Sequence, residues 1–360
     1  MAISKSEIPT PALLLDLDAF ENNLKRMVAH VEGAGKVLRP HAKAHKCPEI
    51  ARRQILAGAV GICVATVAEA ELMAQAGIRS MLLTSPVADP LKMRRIAATG
   101  AMVTVDHEKQ AEWYQDAARA EGKILNVLVD LDVGDHRTGA RDARQVVAIA
   151  EVVSRSTNLR LRGIQAYSVA GSHAPPGEER VRISREVFAR AVEARDAMTR
   201  KGFQTDVLSG GSTGTWQVDT LIPQLTELQA GSFVLMDLAY RKAGLDFAHA
   251  MTVLTTVVSA NHSLFVTVDA GFKAFSTDRG YGPEAKSLNG TLYRWGGDEF
   301  GYVELHGNKL GLGDRVEFIP PHCDPTVNLY DRIYACRGDS VEGVWGVKRL
   351  PSESGGESRL

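Results

Sequence analysis

Arg39-Pro40-His41-Ala42-Lys43-Ala44-His45-Lys46 crowds three cations and two imidazoles into one short stretch. It follows an apolar pair, Val37-Leu38, and precedes a helix that Pro48 opens, so it occupies a strand-to-helix junction. Like charge and the pole of the following helix favour the neutral form of an amine held among them, and a neutral amine attacks a carbonyl carbon. A solvated basic loop is the plain alternative, and the rest of the chain decides between the two.

Four further stretches carry chemistry. Ser209-Gly210-Gly211-Ser212-Thr213-Gly214-Thr215 lets backbone amides approach an oxygen-rich anion without Cβ obstruction, and its hydroxyls add donors. It lacks the lysine and the spacing of a nucleoside triphosphate loop, and a simple turn is its other explanation. Asp132-Val133-Gly134-Asp135-His136-Arg137-Thr138-Gly139 puts Arg137 in a tight turn past an apolar run. A fixed guanidinium beside an aromatic ring oxygen holds that oxygen ionised; a salt bridge to Asp132 or Asp135 is the alternative. His322-Cys323-Asp324 lies between Pro320-Pro321 and Pro325. Read as extended chain, it points His322 and Asp324 one way and Cys323 the other. That is half a metal site, and its oxygen ligand suits Mn2+ or Mg2+ better than a structural zinc; a hydrogen-bonded couple is the ordinary reading. His173 lies in the loop 169–177, where a histidine is a candidate general base because imidazole titrates near working pH, or simply a solvated loop residue. His30, His107, His249, His262 and His306 have no such placement.

These residues need a scaffold that brings them to one end. Residues 11–17 read as a strand ended by Asp18 as a helix N-cap, with Glu21 three residues on. Phe20, Leu24, Met27, Val28 and Val31 share one helical face before Gly33 and Gly35 stop it. Short apolar runs then alternate with amphipathic segments. The runs are 37–38, 62–65, 81–84, 102–105, 125–131, 161–166, 205–208 and 225–229; the helical segments include 68–75, 107–120, 143–153 and 178–200. Short, wholly apolar runs, each followed by a helix, suit a parallel sheet buried on both faces. Eight such units predict a (β/α)8 TIM-type barrel over residues 16–246. A doubly wound sheet is the competitor. It is disfavoured because no Gly-x-Gly-x-x-Gly follows the first strand and because the chemistry sits after nearly every other strand. Residues at the carboxyl ends of barrel strands face one mouth, which gathers Lys43, Arg137, Tyr167, Ser212-Thr213-Gly214 and Gly231-Ser232. An amine, a guanidinium, a phenol and two small-residue loops suit an anionic, aromatic, carbonyl-bearing cofactor.

Beyond residue 247 the texture becomes β-branched and alternating, with runs at 251–259, 263–268, 301–305, 315–319, 332–335 and 341–347. These predict a second, antiparallel β domain over 247–350, which the opening residues 1–15 join. Residues 351–360, polar and rich in glycine and serine, read as a flexible tail. The chain has 360 residues, 44% apolar and 24% charged, with a net charge of -1. That balance argues against nucleic acid or a membrane surface as partner. No apolar run approaches a membrane span, and four cysteines without CxxC spacing point to free thiols in a reducing, cytoplasmic compartment.

Arg-Pro-His-Ala-Lys-Ala-His-Lys, the turn ending Arg137-Thr138-Gly139, the Gly-Ser-Thr-Gly loop, Leu228-Gln229-Ala230-Gly231-Ser232 and Pro321-His322-Cys323-Asp324-Pro325-Thr326 occur together in D-threonine aldolases. The resemblance covers nearly the whole chain. It takes in the D-threo-3-hydroxyaspartate aldolases and dehydratases and, more distantly, eukaryotic-type D-serine dehydratases, all of the alanine-racemase fold type of pyridoxal phosphate enzymes. It implies a barrel plus a β domain, a homodimer, pyridoxal 5'-phosphate, a divalent metal and a small D-3-hydroxy amino acid as substrate. Lys43 then resembles the lysine that binds the cofactor covalently, and Arg137 the arginine near its phenolic oxygen. Tyr167 resembles a residue close to the ring. Ser212, Thr213, Gly214, Gly231 and Ser232 resemble the phosphate cradle, to which Tyr240 adds its phenol. His322 and Asp324 match the metal pair, and His173 matches a catalytic base. One departure is Tyr167-Ser168, where the resemblance leads one to expect Tyr-His, which bears on the preferred side chain.

The activity implied is retro-aldol cleavage to glycine and an aldehyde. Dehydration to an oxo acid and ammonia uses the same parts, but D-serine dehydratases of this type hold zinc through His-x-Cys, whereas Asp324 supplies an oxygen. Non-catalytic pyridoxal phosphate carriers of this fold are single barrels, so the residues bearing His322 and Asp324 count against that class. A racemase needs a second base, for which Tyr281 and Tyr302 are unplaced candidates.

Overall fold

The computed structural model describes residues 3–347; the expected tail, 351–360, lies outside them. After a 3-10 turn at Lys5–Glu7 comes β1 (Ala12–Asp16), and α1 (Leu17–Gly33) follows at once. The cap sits two residues earlier than the sequence predicts: the carboxylate of Asp16, not Asp18, accepts the Ala19 N–H at 3.1 Å. Phe20, Leu24, Met27, Val28 and Val31 are buried, as their shared face requires.

Two compact units make up the chain. One comprises Arg26–Lys43 and Ile50–Gly231. Its strands are β2 (Val37–Leu38), β3 (Ile62–Val64), β4 (Met81–Leu83), β5 (Met102–Val105), β6 (Leu125–Asp130), β7 (Leu159–Ala166), β8 (Val207–Gly210) and β9 (Glu227–Leu228). All pair in parallel, in the order β2-β9-β8-β7-β6-β5-β4-β3. The two ends of that order meet through a bridge between His41 and Cys63. Flanking bonds run from Val60 N–H to the Leu38 carbonyl (3.0 Å) and from Cys63 N–H to the Pro40 carbonyl (2.9 Å). This is the (β/α)8 barrel. Each predicted run falls on one of its strands, with ends shifted by at most two residues.

The helices alternate with the strands: α2 (Pro48–Leu56), α3 (Val67–Gln75), α4 (Pro90–Thr99), α5 (Glu108–Ala120), α6 (Ala143–Arg155), the four-residue α7 (Val169–Ser172), α8 (Glu178–Arg200) and the four-residue α9 (Trp216–Asp219). Their starts are local: Thr66, Asp89 and Asp142 accept backbone N–H groups at the heads of α3, α4 and α6. Strands β3 and β4 are buried at every residue, which is why their sequences are uniformly apolar. One ion pair is also buried. Arg39 Nε and Nη2, just past β2, donate to the two oxygens of Glu227 on β9 at 2.9 and 2.8 Å.

The other unit comprises the chain up to Lys25, Ala44–Glu49 and the chain from Ser232. After α10 (Leu238–Lys242) it contains β10 (Met251–Ser259), β11 (Phe265–Val268), β12 (Glu284–Ala285), β13 (Leu292–Trp295), β14 (Gly301–Glu304), β15 (Arg315–Ile319), α11 (Cys323–Val327), β16 (Arg332–Arg337) and β17 (Ser340–Gly346). The main order is β13-β14-β11-β10-β1-β16-β17, with β15 pairing both β10 and β12. Every pairing is antiparallel except that of β1 with β16. Phe275, Tyr293 and Phe318 pack edge to face in its core, with ring centroids 5.6 to 6.1 Å apart. Among the described residues no helix is long and apolar enough to cross a membrane.

Candidate active site

At the carboxyl ends of the barrel strands lies a cavity of about 140 Å³. Lys43, Arg137 and Tyr167 line it, together with His41, Thr84 and Gln165. Lys43 sits in a single 3-10 turn, Ala42–Ala44, five residues past β2. Its Nζ lies 5.8 Å from the centre of the Tyr167 ring, and the Arg137 guanidinium carbon lies 5.2 Å from the same centre. Amine, guanidinium and phenol therefore meet around one ring.

The basic motif is less crowded than its sequence predicts. Arg39 is tied to Glu227, and the buried Lys46 donates to Asn328 Oδ1 at 2.6 Å. Of the three cations, Lys43 is the one that lines the cavity. The alternative reading of Arg137 also fails. Asp132 is held by His136 Nδ1 (2.8 Å) and by the N–H groups of Gly134 and His136, while Asp135 accepts from Ser168 Oγ at 3.0 Å and from the Val169 N–H.

Two residues lining the cavity, Thr84 and Gln165, carried no sequence signal beyond lying near strand ends, and they are fixed by neighbours from the quoted motifs. His41 Nδ1 accepts the Lys43 N–H at 3.4 Å, so its proton is on Nε2, which donates to Thr84 Oγ1 at 3.1 Å. Gln165 Nε2 donates to Asp130 Oδ1 and to the Thr84 carbonyl, each at 2.8 Å. Gln229 Nε2 donates to Gln165 Oε1 at 3.2 Å and to Ser209 Oγ at 3.0 Å. These bonds leave Gln165 one orientation. Burial raises the Asp130 carboxyl to about 6, against the pull of its bonds from Gln165 and Thr138.

The glycine-rich loop follows β8, and Gly231 follows β9, the two barrel strands after which phosphate sites recur. Ser212, Thr213, Gly214 and Gly231 are all buried. A Cβ on Gly214 would lie 1.8 Å from the Ser172 carbonyl oxygen, and one on Gly231 would lie 2.8 Å from that of His41. The phenol of Tyr167 bonds Ser172 Oγ at 3.0 Å, which links the ring to the segment that packs on the loop. His173 is the half-buried C-cap of α7 and is not among the residues lining the cavity.

The second unit holds the remaining expected residues. His322 and Asp324 do not lie on an extended strand: His322 is the N-cap residue of α11, and Asp324 is in its first turn. Pro325 fits this short helix because in a first turn its missing N–H has no bond to make. Asp324 Oδ1 accepts from Ser232 Oγ at 3.3 Å and from Cys323 Sγ at 3.2 Å. Burial, with Asp237 and Asp324 nearby, pushes the Cys323 thiol well up, so it stays protonated. Asp237 is fully buried and joins two helix starts, accepting the Tyr240 N–H at 2.9 Å and the Cys323 N–H at 2.8 Å.

Asp278, which the sequence did not single out, reaches His322 Nδ1 at 2.7 Å. A neutral His322 that gives Nδ1–H to this carboxylate has its Nε2 lone pair available to a cation. Arg279 Nη2 lies 3.4 and 3.5 Å from the two ring nitrogens, and its own charge is partly offset by Asp278, 3.4 Å from Nε. Among the described residues no group of three or more His, Cys, Asp and Glu side chains is placed to hold a metal ion.

Barrel, amine and glycine-rich loop point to a class of enzyme. Residues 15–238 match the family described as alanine racemase, N-terminal domain, and residues 250–336 match the putative serine dehydratase domain. Alanine racemases themselves share the fold at 15% identity, as in the Bacillus anthracis enzyme with a TM-score of 0.73.

The closer relatives are aldolases. A 3-hydroxy-D-aspartate aldolase of Paracoccus denitrificans is 36% identical over 96% of this chain and 93% of its own. A D-threonine aldolase of Arthrobacter is 34% identical over 95% and 93%. The crystal structure of D-threonine aldolase from Filomicrobium marinum superposes with a TM-score of 0.93 at 33% identity, covering 96% of each chain. The chain belongs to the family of D-threonine and 3-hydroxy-D-aspartate aldolases.

Proposed function

We propose that the chain is a pyridoxal phosphate- and divalent metal-dependent aldehyde-lyase that cleaves D-3-hydroxy amino acids to glycine and an aldehyde. The observation that carries this reading is the cavity in which the Lys43 amine faces the Tyr167 ring beside the Arg137 guanidinium. The donor set fits the cofactor: an amine for its aldehyde, an aromatic face for its ring, a cation for its phenolic oxygen and a glycine-rich loop for its phosphate.

When bound, the cofactor supplies an acceptor for the electron pair of the breaking Cα–Cβ bond, and the metal supplies Lewis acidity toward the hydroxyl. The protein's residues do the rest. Lys43 anchors the cofactor, Tyr167 covers its ring, and Arg137 keeps its phenolic oxygen ionised. Thr213, Gly214, Gly231 and Ser232, with Tyr240, hold the phosphate, and Ser212 shapes the loop that presents them. His322, oriented by Asp278, and Asp324 hold the cation, and His173 takes the proton of the substrate hydroxyl, directly or through one water. The Cys323 thiol, kept protonated, leaves an imidazole and an oxygen, a pair that suits Mn2+ or Mg2+. The reading carries with it a homodimer in a reducing, cytoplasmic setting, which four free and buried cysteines support.

A second reading is dehydration to an oxo acid and ammonia. A D-threo-3-hydroxyaspartate dehydratase of Delftia is 28% identical over 94% of this chain. Its solved variants replace a histidine and, two residues on, a cysteine, the latter in a metal-free form. This chain has Asp324 two residues after His322, which favours the aldolase. Product analysis with D-threonine and D-threo-3-hydroxyaspartate decides: glycine plus aldehyde supports the lyase proposed, and ammonia plus oxo acid overturns it. Lys43→Ala should abolish the near-visible absorbance of the cofactor-loaded protein, and an unchanged spectrum would place the anchor elsewhere.

A further inference from the structure

A carboxylate lies behind the Ser212–Thr215 loop. Asp219, the last residue of α9, is 2% exposed, and three groups reach its oxygens. Ser184 Oγ donates at 2.5 Å, Thr215 Oγ1 donates from the loop, and the backbone N–H of Ser212 donates as well. Burial raises this carboxyl to about 6, and the groups that pull it back are these three donors, not a cation. Burying a carboxylate on such terms is costly, which asks what it does there.

The protons can be traced. An ionised carboxylate only accepts, so the single hydroxyl proton of Thr215 is committed to Asp219. Ser212 Oγ and Thr215 Oγ1 are 2.9 Å apart, and with Thr215 committed, Ser212 must be the donor of that bond. The Ser212 oxygen in turn accepts the Gly214 N–H at 3.2 Å. The hydroxyl proton of Ser212 therefore points into the loop and away from any anion outside it.

On the reading that this loop holds the cofactor phosphate, we propose that Asp219 is its positioning residue. It draws in Thr215 and, through Thr215, the Ser212 hydroxyl, so that this hydroxyl serves the shape of the loop and not the anion. The sequence alone supports the opposite role for Ser212, that of a direct phosphate donor.

The test is titration of the full-length protein, stripped of cofactor, with pyridoxal phosphate and with pyridoxal, which lacks the phosphate. Asp219→Asn and Thr215→Val should each weaken pyridoxal phosphate binding by roughly tenfold or more while pyridoxal binding stays within about twofold. Ser212→Ala should cost pyridoxal phosphate no more than about threefold. Ser212→Ala as damaging as Asp219→Asn would overturn the proposal, and so would equal weakening of both ligands or unchanged binding in Asp219→Asn. If Asp219→Asn does not fold, Thr215→Val keeps the carboxylate and its Ser184 bond and makes the same comparison. A wild-type protein that binds pyridoxal phosphate no better than pyridoxal would overturn the phosphate reading itself, a result distinct from the variant comparison.

Discussion

Single side chains here act through the partner that fixes them. On the proposed reading His322 is the clearest instance: an imidazole that is to bind a cation needs a fixed tautomer, and Asp278 at 2.7 Å fixes it. Asp278 itself responds: burial acts to raise its carboxyl, but the bond from His322 and the nearby Arg279 charge hold it below the usual range. Asp278→Asn keeps the shape and loses the charge, and should weaken Mn2+ binding by about 10–100-fold, measured by titration of activity in chelator-stripped protein. Asp324→Ala or EDTA should remove activity that added Mn2+ restores only in the wild type. Activity indifferent to EDTA would discard the metal role.

At the scale of elements, the weak point of the barrel is also its chemical point. β2 has two residues, and the chain running on from it supplies both the closing bridge at His41 and the amine at Lys43. So short a strand needs fixing from the side, and the buried Arg39–Glu227 pair supplies it across β2 and β9. Removing one partner leaves an uncompensated buried charge. Glu227→Ala should therefore lower stability by about 3–5 kcal/mol in denaturant unfolding, well beyond a surface pair. A loss below about 1 kcal/mol would mean that Arg39 finds water or another acceptor. The motif read from the sequence as a cluster of like charge is thus divided, with one cation structural, one hydrogen-bonded and one facing the cavity.

For the molecule as a whole, buried carboxyls set a pH dependence. Asp130 and Asp219 are both raised to about 6, while the unfolded chain titrates near 4. The fold holds these protons more tightly than the unfolded chain does. Their stabilisation is complete below about pH 4 and is lost as pH rises through about 6. Each contributes on the order of 1–3 kcal/mol to that fall. Asp130→Asn should remove its share, so that wild-type minus variant stability, from urea unfolding at pH 4 to 8, declines with pH; a flat difference would refute the shift.

The barrel was legible in the sequence because a strand buried on both faces leaves little choice of residue, as β3 and β4 illustrate. The two-residue β12 and the four-residue β13 were not, since one has no apolar run and the other alternates over too few residues to register. Lys43, Arg137 and Tyr167 could be placed by counting strand ends. Asp219, Asp278 and Gln165 could not: each works through neighbours distant in the chain, which no local spacing records.

All four thiols, Cys47, Cys63, Cys323 and Cys336, are sealed from solvent. A disulfide-exchange reagent in the medium can therefore modify only a chain that has already opened. Cys63, whose Sγ bonds the Arg39 carbonyl at the barrel seam, reports there, and Cys336 reports on the sheet of the other unit. The protein thus carries intrinsic, mutation-free labels for timing when each of its halves comes apart.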